Sequence, residues 1–281
     1  MNYTEKEMVN MVSIRWFIEN CMEIRLANGK TIVVDPMIIR DASETDNEIA
    51  KSYATGYSAD DLEGCDYIIL THIHGDHIGA LRQVHERFPD APILVNGWSA
   101  WPLAKYLDMP LGAFIPMTDG CEYDFDGFKI KWLQGRHTPA VGAMAPSDFT
   151  VGSTETEQWV NRLGTIYNSN FILFLDNSMT LAMDGGRYEP NLSRLDLYKP
   201  NIVFCHSMRD LNATADTFMD ALTRSGAQYL FPLCAQIQGE GTETAIRLTN
   251  EKMEAAGYAG RALNPKCGRW IDFSMGLSVR D

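Results

Sequence analysis

The chain has 281 residues, of which 45% are hydrophobic, enough to bury a sizeable core without disulfides or structural metal. Its 24 basic and 37 acidic residues give a formal net charge of −13, which repels phosphate backbones and anionic membranes. This balance makes nucleic acid an unfavourable partner. A local positive charge can still attract a small anion: Arg136 either forms a structural salt bridge or attracts a small phosphorylated or carboxylated substrate.

The first part of the chain predicts short strands joined by tight turns. Three apolar segments have strand length: residues 12–18, 22–26 and 31–34. Asn28-Gly29 lies between the last two segments and is a specific hairpin signal. Residues 41–57 are polar and irregular, which predicts a loop or a short helix.

The most informative segment follows an apolar run at residues 67–70 and contains three histidines and an aspartate within six positions. His72 and His74 are two residues apart where the chain leaves a strand, so they project to the same side and can hold one cation at roughly 2.0–2.1 Å. Asp76 and His77 follow directly and can hold a second cation nearby. The spacing favours a two-metal site over the alternative of a polar loop with exposed histidines.

Residues 78–88 have helical spacing and precede Pro89, which predicts a helix starting near His77. A strand at residues 93–96 and a helix at residues 98–107 follow. Trp98 and Trp101 on this helix are more typical of core residues than of a substrate platform.

The second half predicts another set of strands followed by helices. Asp126-Gly127 is a hairpin signal between the strands 121–125 and 128–133. The further predicted strands are residues 165–175, 178–184, 201–205 and 228–233, and the further predicted helices are residues 214–224 and 242–256. Residues 140–161 form either an insertion over the cleft or a helix-containing edge. Strands followed by helices, twice over, agree with two packed sheets covered by helices, in one domain spanning residues 1–281.

The motif His-x-His-x-Asp-His after a buried strand resembles the signature of the metallo-β-lactamase superfamily. The resemblance extends to Asp35-Pro36, Gly135 to Pro139, Asp184-Gly185 and Phe231 to Leu233. It implies an α+β fold, the four-layered αββα sandwich of the metallo-β-lactamase type. The general layout most resembles ascorbate-6-phosphate lactonase and related metal-dependent hydrolases.

The resemblance also implies six ligands for two cations. They are His72, His74 and His137 for the first ion, Asp76 and His77 for the second, and Asp184 as a bridge between them. The last of these also fits a turn aspartate before glycine. This donor set suits two Zn²⁺ ions and also tolerates manganese or iron.

The sequence departs from the family pattern at the last ligand, where Cys234 occupies a position that usually holds histidine. A thiolate is a sound zinc ligand at about 2.3 Å and favours zinc over manganese. Alternatively Cys234 is a plain buried cysteine, and His206 or a water completes the site, or the second site is partly vacant. If His206 is not a metal ligand, it is expected to be a catalytic residue that orients the substrate.

These observations predict a hydrolase in which a metal-bound hydroxide attacks a small ester-like substrate, with a lactone or sugar-phosphate lactone implied by the resemblance. Asp76 is expected to be catalytic as well as a ligand, because it can hold the nucleophile and accept its proton. The alternatives are a phosphodiesterase acting on a nucleotide or phospholipid, and a non-hydrolytic metal-binding or di-iron redox protein.

The six cysteines are scattered without a Cys-x-x-Cys pair, and no apolar stretch has the length of a signal peptide or a membrane span. This predicts free thiols and a cytoplasmic protein. The expected partner is a small-molecule substrate, with no nucleic acid and no membrane, and a homo-oligomer is left open.

Overall fold

The computed structural model describes residues 11–44, 51, 54–137, 156–184, 189–207, 210–233 and 240–274, with the backbone alone for residues 156–158, 184 and 189–192. Within these ranges the strands form two seven-stranded sheets that pack face to face. Helices cover the outer faces of both sheets. The four-layered α+β sandwich predicted from the sequence is therefore confirmed, whereas a single domain over residues 1–281 stays a prediction.

The first sheet is built mainly from the N-terminal part of the chain. Its strands are β1 (Met11–Ile18), β2 (Cys21–Arg25), β3 (Thr31–Val34), β4 (Tyr67–Ile69), β5 (Ile93–Asn96), β6 (Phe114–Met117) and, from the C-terminal part, β14 (Trp270–Ser274). They lie in the order β14-β1-β2-β3-β4-β5-β6. The pairs from β14 to β3 are antiparallel and those from β3 to β6 are parallel. The sequence predicted neither β6 nor β14.

The second sheet comes from the later part of the chain. Its strands are β7 (Glu122–Phe125), β8 (Phe128–Gln134), β9 (Ser169–Leu175), β10 (Thr180–Asp184), β11 (Ile202–His206), β12 (Tyr229–Leu233) and β13 (Arg261–Ala262). They lie in the order β13-β12-β11-β10-β9-β8-β7. The pairs from β10 to β13 are parallel, so these strands all end at one edge of the sheet.

The helices of the described ranges follow the predictions in part. They are α1 (Gly75–Ile78), α2 (Leu81–Arg87), α3 (Gly97–Leu107), α4 (Thr156–Ile166), α5 (Glu189–Tyr198), α6 (Leu211–Ser225) and α7 (Glu240–Ala255). Because α4 runs to Ile166, the strand predicted from residue 165 begins only at Ser169. The helix α5 was not predicted. Of the stretch 140–161, residues 156–161 belong to α4, and residues 140–155 lie outside the described ranges.

Alternating residues of the facing strands fill the space between the sheets. Trp16 and Ile32 of the first sheet belong to the same buried cluster as Trp132 and Phe204 of the second. The residues in between face outward, so that Val33 packs under α1 to α3. Each large side chain buried in this way stabilises the fold by about 1.5–3 kcal/mol.

The two tryptophans of α3 contradict the expectation of a core position. Trp98 is 72% exposed and Trp101 is 60% exposed. The helix instead buries Ala100, Leu103 and Ala104, whose spacing of three and four residues places them on one face. Trp98 stacks on Tyr167, with ring centroids 6.0 Å apart. The expectation was wrong because apolar composition does not tell which helix face meets the sheet.

Candidate metal centre

Three predicted ligands converge at the edge where the parallel strands end. His72 follows β4, His74 is the N-cap residue of α1, and His137 follows β8 by three residues. One donor atom from each histidine lies within 4.8 Å of the other two. Nitrogens bound to one tetrahedral cation lie about 3.4 Å apart, given bonds of roughly 2.1 Å. The cluster is therefore close to the size that a single zinc ion requires.

A chain of hydrogen bonds determines which nitrogen of His72 can bind a cation. The Thr71 hydroxyl lies 2.5 Å from Asp35 Oδ2 and 3.1 Å from His72 Nδ1. Since a carboxylate only accepts, Thr71 donates its one proton to Asp35 and accepts a hydrogen bond from His72 Nδ1. The lone pair of His72 is thus on Nε2, which is buried and has no hydrogen-bond partner among the described residues. A buried acceptor without a partner is costly, and a cation would satisfy it.

His74 offers Nδ1 to a cation, whereas His72 offers Nε2. His74 Nε2 lies 2.8 Å from the Asn161 carbonyl oxygen and 3.0 Å from Thr165 Oγ1. Because a carbonyl oxygen only accepts, the proton of His74 is on Nε2. Its Nδ1 therefore carries the lone pair that can coordinate a cation.

The backbone at Gly135 brings His137 to the cluster. The Gly135 N–H donates to the Asn168 carbonyl oxygen at 2.7 Å, and a Cβ at this position would lie only 2.4 Å from Asn168 Oδ1. A larger residue would push the loop away from β9. His137 then lies with its ring centroid 4.7 Å from that of His74 and 5.1 Å from that of His72.

Asp35 is a site residue that sequence reasoning counted only as part of the resemblance. Its buried carboxylate accepts hydrogen bonds from the Thr71 N–H at 2.7 Å, His77 Nδ1 at 2.8 Å and Asn20 Nδ2 at 3.2 Å. Its φ of +41° is in the left-handed region, which non-glycine residues rarely adopt. Such a carboxylate fixes the orientation and tautomer of a ligating histidine. The available signal was an aspartate directly after a buried strand.

The predicted ligands of a second ion also lie together. His77 directs Nδ1 to Asp35, and its Nε2 lies 3.9 Å from Asp76 Oδ1. The His72 and His77 rings are 3.7 Å apart between centroids, so this second group adjoins the first. The Asp76 side chain is about a quarter exposed, so solvent reaches its carboxylate.

Glu19 in the turn between β1 and β2 was also missed. It is buried, and its burial, reinforced by the charge of Asp76 and partly offset by His77, raises its pKa to about 7. Nothing in the local sequence distinguishes it from an ordinary turn glutamate. Only the fold brings this carboxyl next to the predicted second-metal ligands.

His206 ends β11 on the same side of the molecule. Burial, together with the neighbouring His137 and His77, lowers its pKa to about 4. Its Nδ1 is buried and lacks a hydrogen-bond partner in the part of the chain that the structure describes. Asp184 ends the neighbouring strand β10, opposite Cys205 in register, but only its backbone is described. Cys234 lies outside the described residues, directly after β12.

The electrostatics of the centre suit a cation. Burial lowers the pKa of His72 well below its ordinary value, with further contributions from the neighbouring histidines, and lowers the pKa of His74 to about 4. Both rings are therefore neutral at pH 7, the form in which imidazole binds metal. The exposed Arg136 lies beside His137, outside this buried group.

Comparisons with known proteins agree with this geometry. Residues 14–145 match the family model of the metallo-β-lactamase superfamily. A protein named UPF0173 metal-dependent hydrolase from Sulfurisphaera tokodaii is 27% identical over 171 residues, which cover 58% of this chain and 70% of that protein.

Solved structures have the same fold. Igni18, described as a novel metallo hydrolase from Ignicoccus hospitalis, matches with a TM-score of 0.63 at 16% identity, over 95% of this chain and 100% of that one. CmlA, a diiron β-hydroxylase from Streptomyces venezuelae, matches with a TM-score of 0.58 at 11% identity, over 95% of this chain and 54% of that one.

The chain has the metallo-β-lactamase fold, and the comparisons support its place in the metallo-β-lactamase superfamily. The relative from Sulfurisphaera tokodaii is named a metal-dependent hydrolase, which agrees with the prediction of an enzyme of this kind. The lactonase branch and the identity of the metal stay predictions. No helix within the described ranges is long and apolar enough to span a membrane.

Proposed function

We propose that this protein hydrolyses a small ester-like bond with the help of two zinc ions, held by the histidine cluster and by the residues that adjoin it. The proposed ligands are His72, His74 and His137 for one ion, and Asp76, His77, Asp184 and Cys234 for the other. The buried Nε2 of His72, which has no partner among the described residues and lies within the three-histidine cluster, carries this proposal.

The residues present fit such a group. Each of the three histidines places a possible ligand nitrogen within 4.8 Å of the other two, and the hydrogen bonds of Thr71 and α4 hold the rings of His72 and His74 in ligating tautomers. When bound, the zinc ions lower the pKa of water to near neutrality and polarise the scissile carbonyl or phosphoryl oxygen.

The protein side chains supply positioning and proton transfer. Asp76 reaches the cleft and accepts the proton released when water attacks. His206, with a pKa of about 4, is uncharged at pH 7. An uncharged ring of this kind is a weak general base and acts instead by hydrogen bonding, so we assign it to orienting the substrate.

A lactone or sugar-phosphate lactone is the substrate class that we propose, on the basis of the resemblance of the overall layout. The net charge of −13 favours a small molecule over a nucleic acid. The location that we propose is the cytoplasm, from the scattered cysteines.

Elemental analysis of the purified protein, followed by a hydrolase screen, tests the proposal. We expect two zinc ions per chain and turnover of a lactone that is abolished by chelators, by His72→Ala and by Asp76→Asn. Turnover of a phosphodiester would support hydrolysis but contradict the lactone. Protein that binds no metal, or that holds iron and consumes oxygen without hydrolysis, would overturn the proposed function.

The proposed Cys234 ligand has its own test. His206 pairs with Leu233 in the parallel register of β11 and β12, so β12 ends at the edge where the centre lies. In Co²⁺-substituted protein a thiolate ligand gives a sulfur-to-cobalt charge-transfer band. We expect this band in the wild type and its loss in Cys234→Ser but not in His206→Ala. An absent wild-type band would refute the thiolate and leave His206 or water as the last ligand.

A further inference from the structure

The helix α4 contacts a proposed metal ligand that is far away in the sequence. The Asn161 carbonyl oxygen and the Thr165 hydroxyl both lie at hydrogen-bond distance from His74 Nε2, across 87 and 91 residues of chain. On its other side α4 buries Val160 and Leu163 in the core beneath the first sheet. The helix is therefore anchored in the core, and its polar atoms meet His74 from a defined direction.

The contact fixes the chemical form of His74. The Asn161 backbone carbonyl oxygen can only accept, so the imidazole proton is held on Nε2. The Thr165 hydroxyl donates to the Asn161 carbonyl at 3.2 Å, which leaves its oxygen to accept from the same ring nitrogen. Both bonds select the tautomer whose lone pair is on Nδ1. His72 is held in the opposite form, with its lone pair on Nε2.

Gly164 makes the close approach of helix and ring possible. A Cβ at this position would lie 2.5 Å from His74 Cδ2, 3.0 Å from His74 Nε2 and 3.1 Å from the His74 backbone nitrogen. The backbone atom cannot swing aside as a long side chain could. Glycine in a helix interior costs about 1 kcal/mol relative to alanine. The helix therefore keeps an unfavourable residue at the one turn where it touches His74.

We infer that α4 is a positioning element for metal binding, in which the Asn161 carbonyl, Gly164 and the Thr165 hydroxyl hold His74 as an Nδ1 ligand. This inference rests on the proposed function, because it assigns a role to residues around the same centre. It adds a second support to the centre: Asp35 and Thr71 orient His72 and His77 from the ends of strands in the first sheet, and α4 orients His74.

The steric part is tested with Gly164→Ala and the matched control Gly241→Ala. Gly241 also lies in a helix, α7, but a Cβ there meets only the end of the Leu211 side chain at 3.4 Å. Zn²⁺ affinity is measured by competition with a chelating dye. We expect Gly164→Ala to bind Zn²⁺ about 10- to 100-fold more weakly, the usual effect of disturbing a residue that orients a ligand. The control should bind as the wild type does.

The hydrogen-bonding part is tested with Thr165→Val and Thr165→Ser. Valine keeps the shape but removes the acceptor, and we expect about 3- to 10-fold weaker Zn²⁺ binding, the value of one neutral hydrogen bond. Serine keeps the hydroxyl and should restore wild-type affinity. Since neither change adds bulk, this pair decides the question if Gly164→Ala does not fold.

Long-range ¹H–¹⁵N spectra of the histidine rings give a readout that a purely structural helix would not affect. In metal-free wild type we expect the His74 proton on Nε2, and on adding Zn²⁺ we expect a shift at Nδ1 of His74 but at Nε2 of His72.

The possible outcomes separate the inference from the proposed function. If the wild type binds no Zn²⁺, or if His72→Ala leaves binding unchanged, the proposed function fails. If the wild type binds Zn²⁺ through His72 but His74 coordinates through Nε2, or the Thr165 variants bind alike, the role of α4 is refuted and the proposed function stands.

Discussion

Replacing Asp35 with asparagine should weaken zinc binding while leaving the fold intact. Asparagine tolerates the left-handed backbone conformation that Asp35 adopts at φ +41°. The substitution therefore introduces no new backbone strain. It removes the negative charge and converts one of the two acceptor oxygens into a donor.

The magnitude follows from the donors that surround the carboxylate. Oδ2 accepts from Thr71 Oγ1, His77 Nδ1 and Asn20 Nδ2, whereas Oδ1 accepts from the Thr71 N–H. The amide would place its NH₂ at the Oδ1 position, where it faces only the Thr71 N–H. At the Oδ2 position it would face three donors. One hydrogen bond to a charged group, about 1.5–3 kcal/mol, is then lost. The loss of the negative charge also weakens the bonds from Thr71 Oγ1 and His77 Nδ1, which orient the ligands, so we expect zinc affinity to fall about 10- to 100-fold.

Zinc affinity is measured by dye competition, and circular dichroism reports the fold. Asp66→Asn is the matched control, because Asp66 lies away from the centre. Its carboxylate also accepts a hydrogen bond from the Thr31 backbone N–H and forms an ion pair with Lys30. Asp35→Asn protein that folds and binds zinc within about twofold of the wild type would show that the carboxylate does not orient the ligands.

Three further predictions concern stability. Since burial lowers the pKa of His206 to about 4, against 6.5 for the unfolded chain, its contribution to stability is present above pH 6.5 and lost as the pH falls towards 4. The free energy of unfolding of the metal-free protein, measured in urea, should fall by up to about 3 kcal/mol over this range, and that of His206→Gln should fall by less. Equal losses in the two proteins would contradict this pKa. The effect of pH on the contribution of Glu19 to stability has the opposite sign. Because its pKa is raised to about 7, this contribution is present below pH 4.5 and is lost as the pH rises through 7. Metal-free Glu19→Gln should therefore be more stable than the wild type at pH 8, by up to about 3 kcal/mol, and an unchanged urea midpoint would count against it. Glu23→Ala leaves the buried Arg15 without its main partner and should cost about 3 kcal/mol with unchanged zinc affinity; a Tm within about 2 °C of the wild type would refute this estimate.

Most strands and the central motif could be predicted because their signals are local. The alternation of Phe128, Ile130 and Trp132 matches the strand period, and these residues are buried in β8 as expected. The spacing of His72 and His74 predicted that two histidines project to the same side directly after a strand, and their rings do lie together. These patterns depend only on the geometry of a few neighbouring residues.

Some elements could not be predicted in this way. Thr165 to Tyr167 are β-branched or aromatic residues of the kind typical of strands, but α4 packs against the core and extends through Ile166 before β9 begins. Helix propensity and strand propensity differ little over such a short run, so tertiary packing decides between them. The exposure of Trp98 and Trp101 was decided in the same way, by the face that α3 turns to the sheet.

The sequence by itself predicted the class of this protein and the core of the candidate site, because the His-x-His-x-Asp-His spacing brings potential ligands together within a few residues. Only the tertiary structure decided what surrounds that core. Asp35, Glu19 and α4 come from separate parts of the chain, and no local pattern relates them to His72 or His74. The physical reason is that a ligand's orientation and tautomer are set by hydrogen bonds through space, and the packing of the two sheets and α4 creates those contacts.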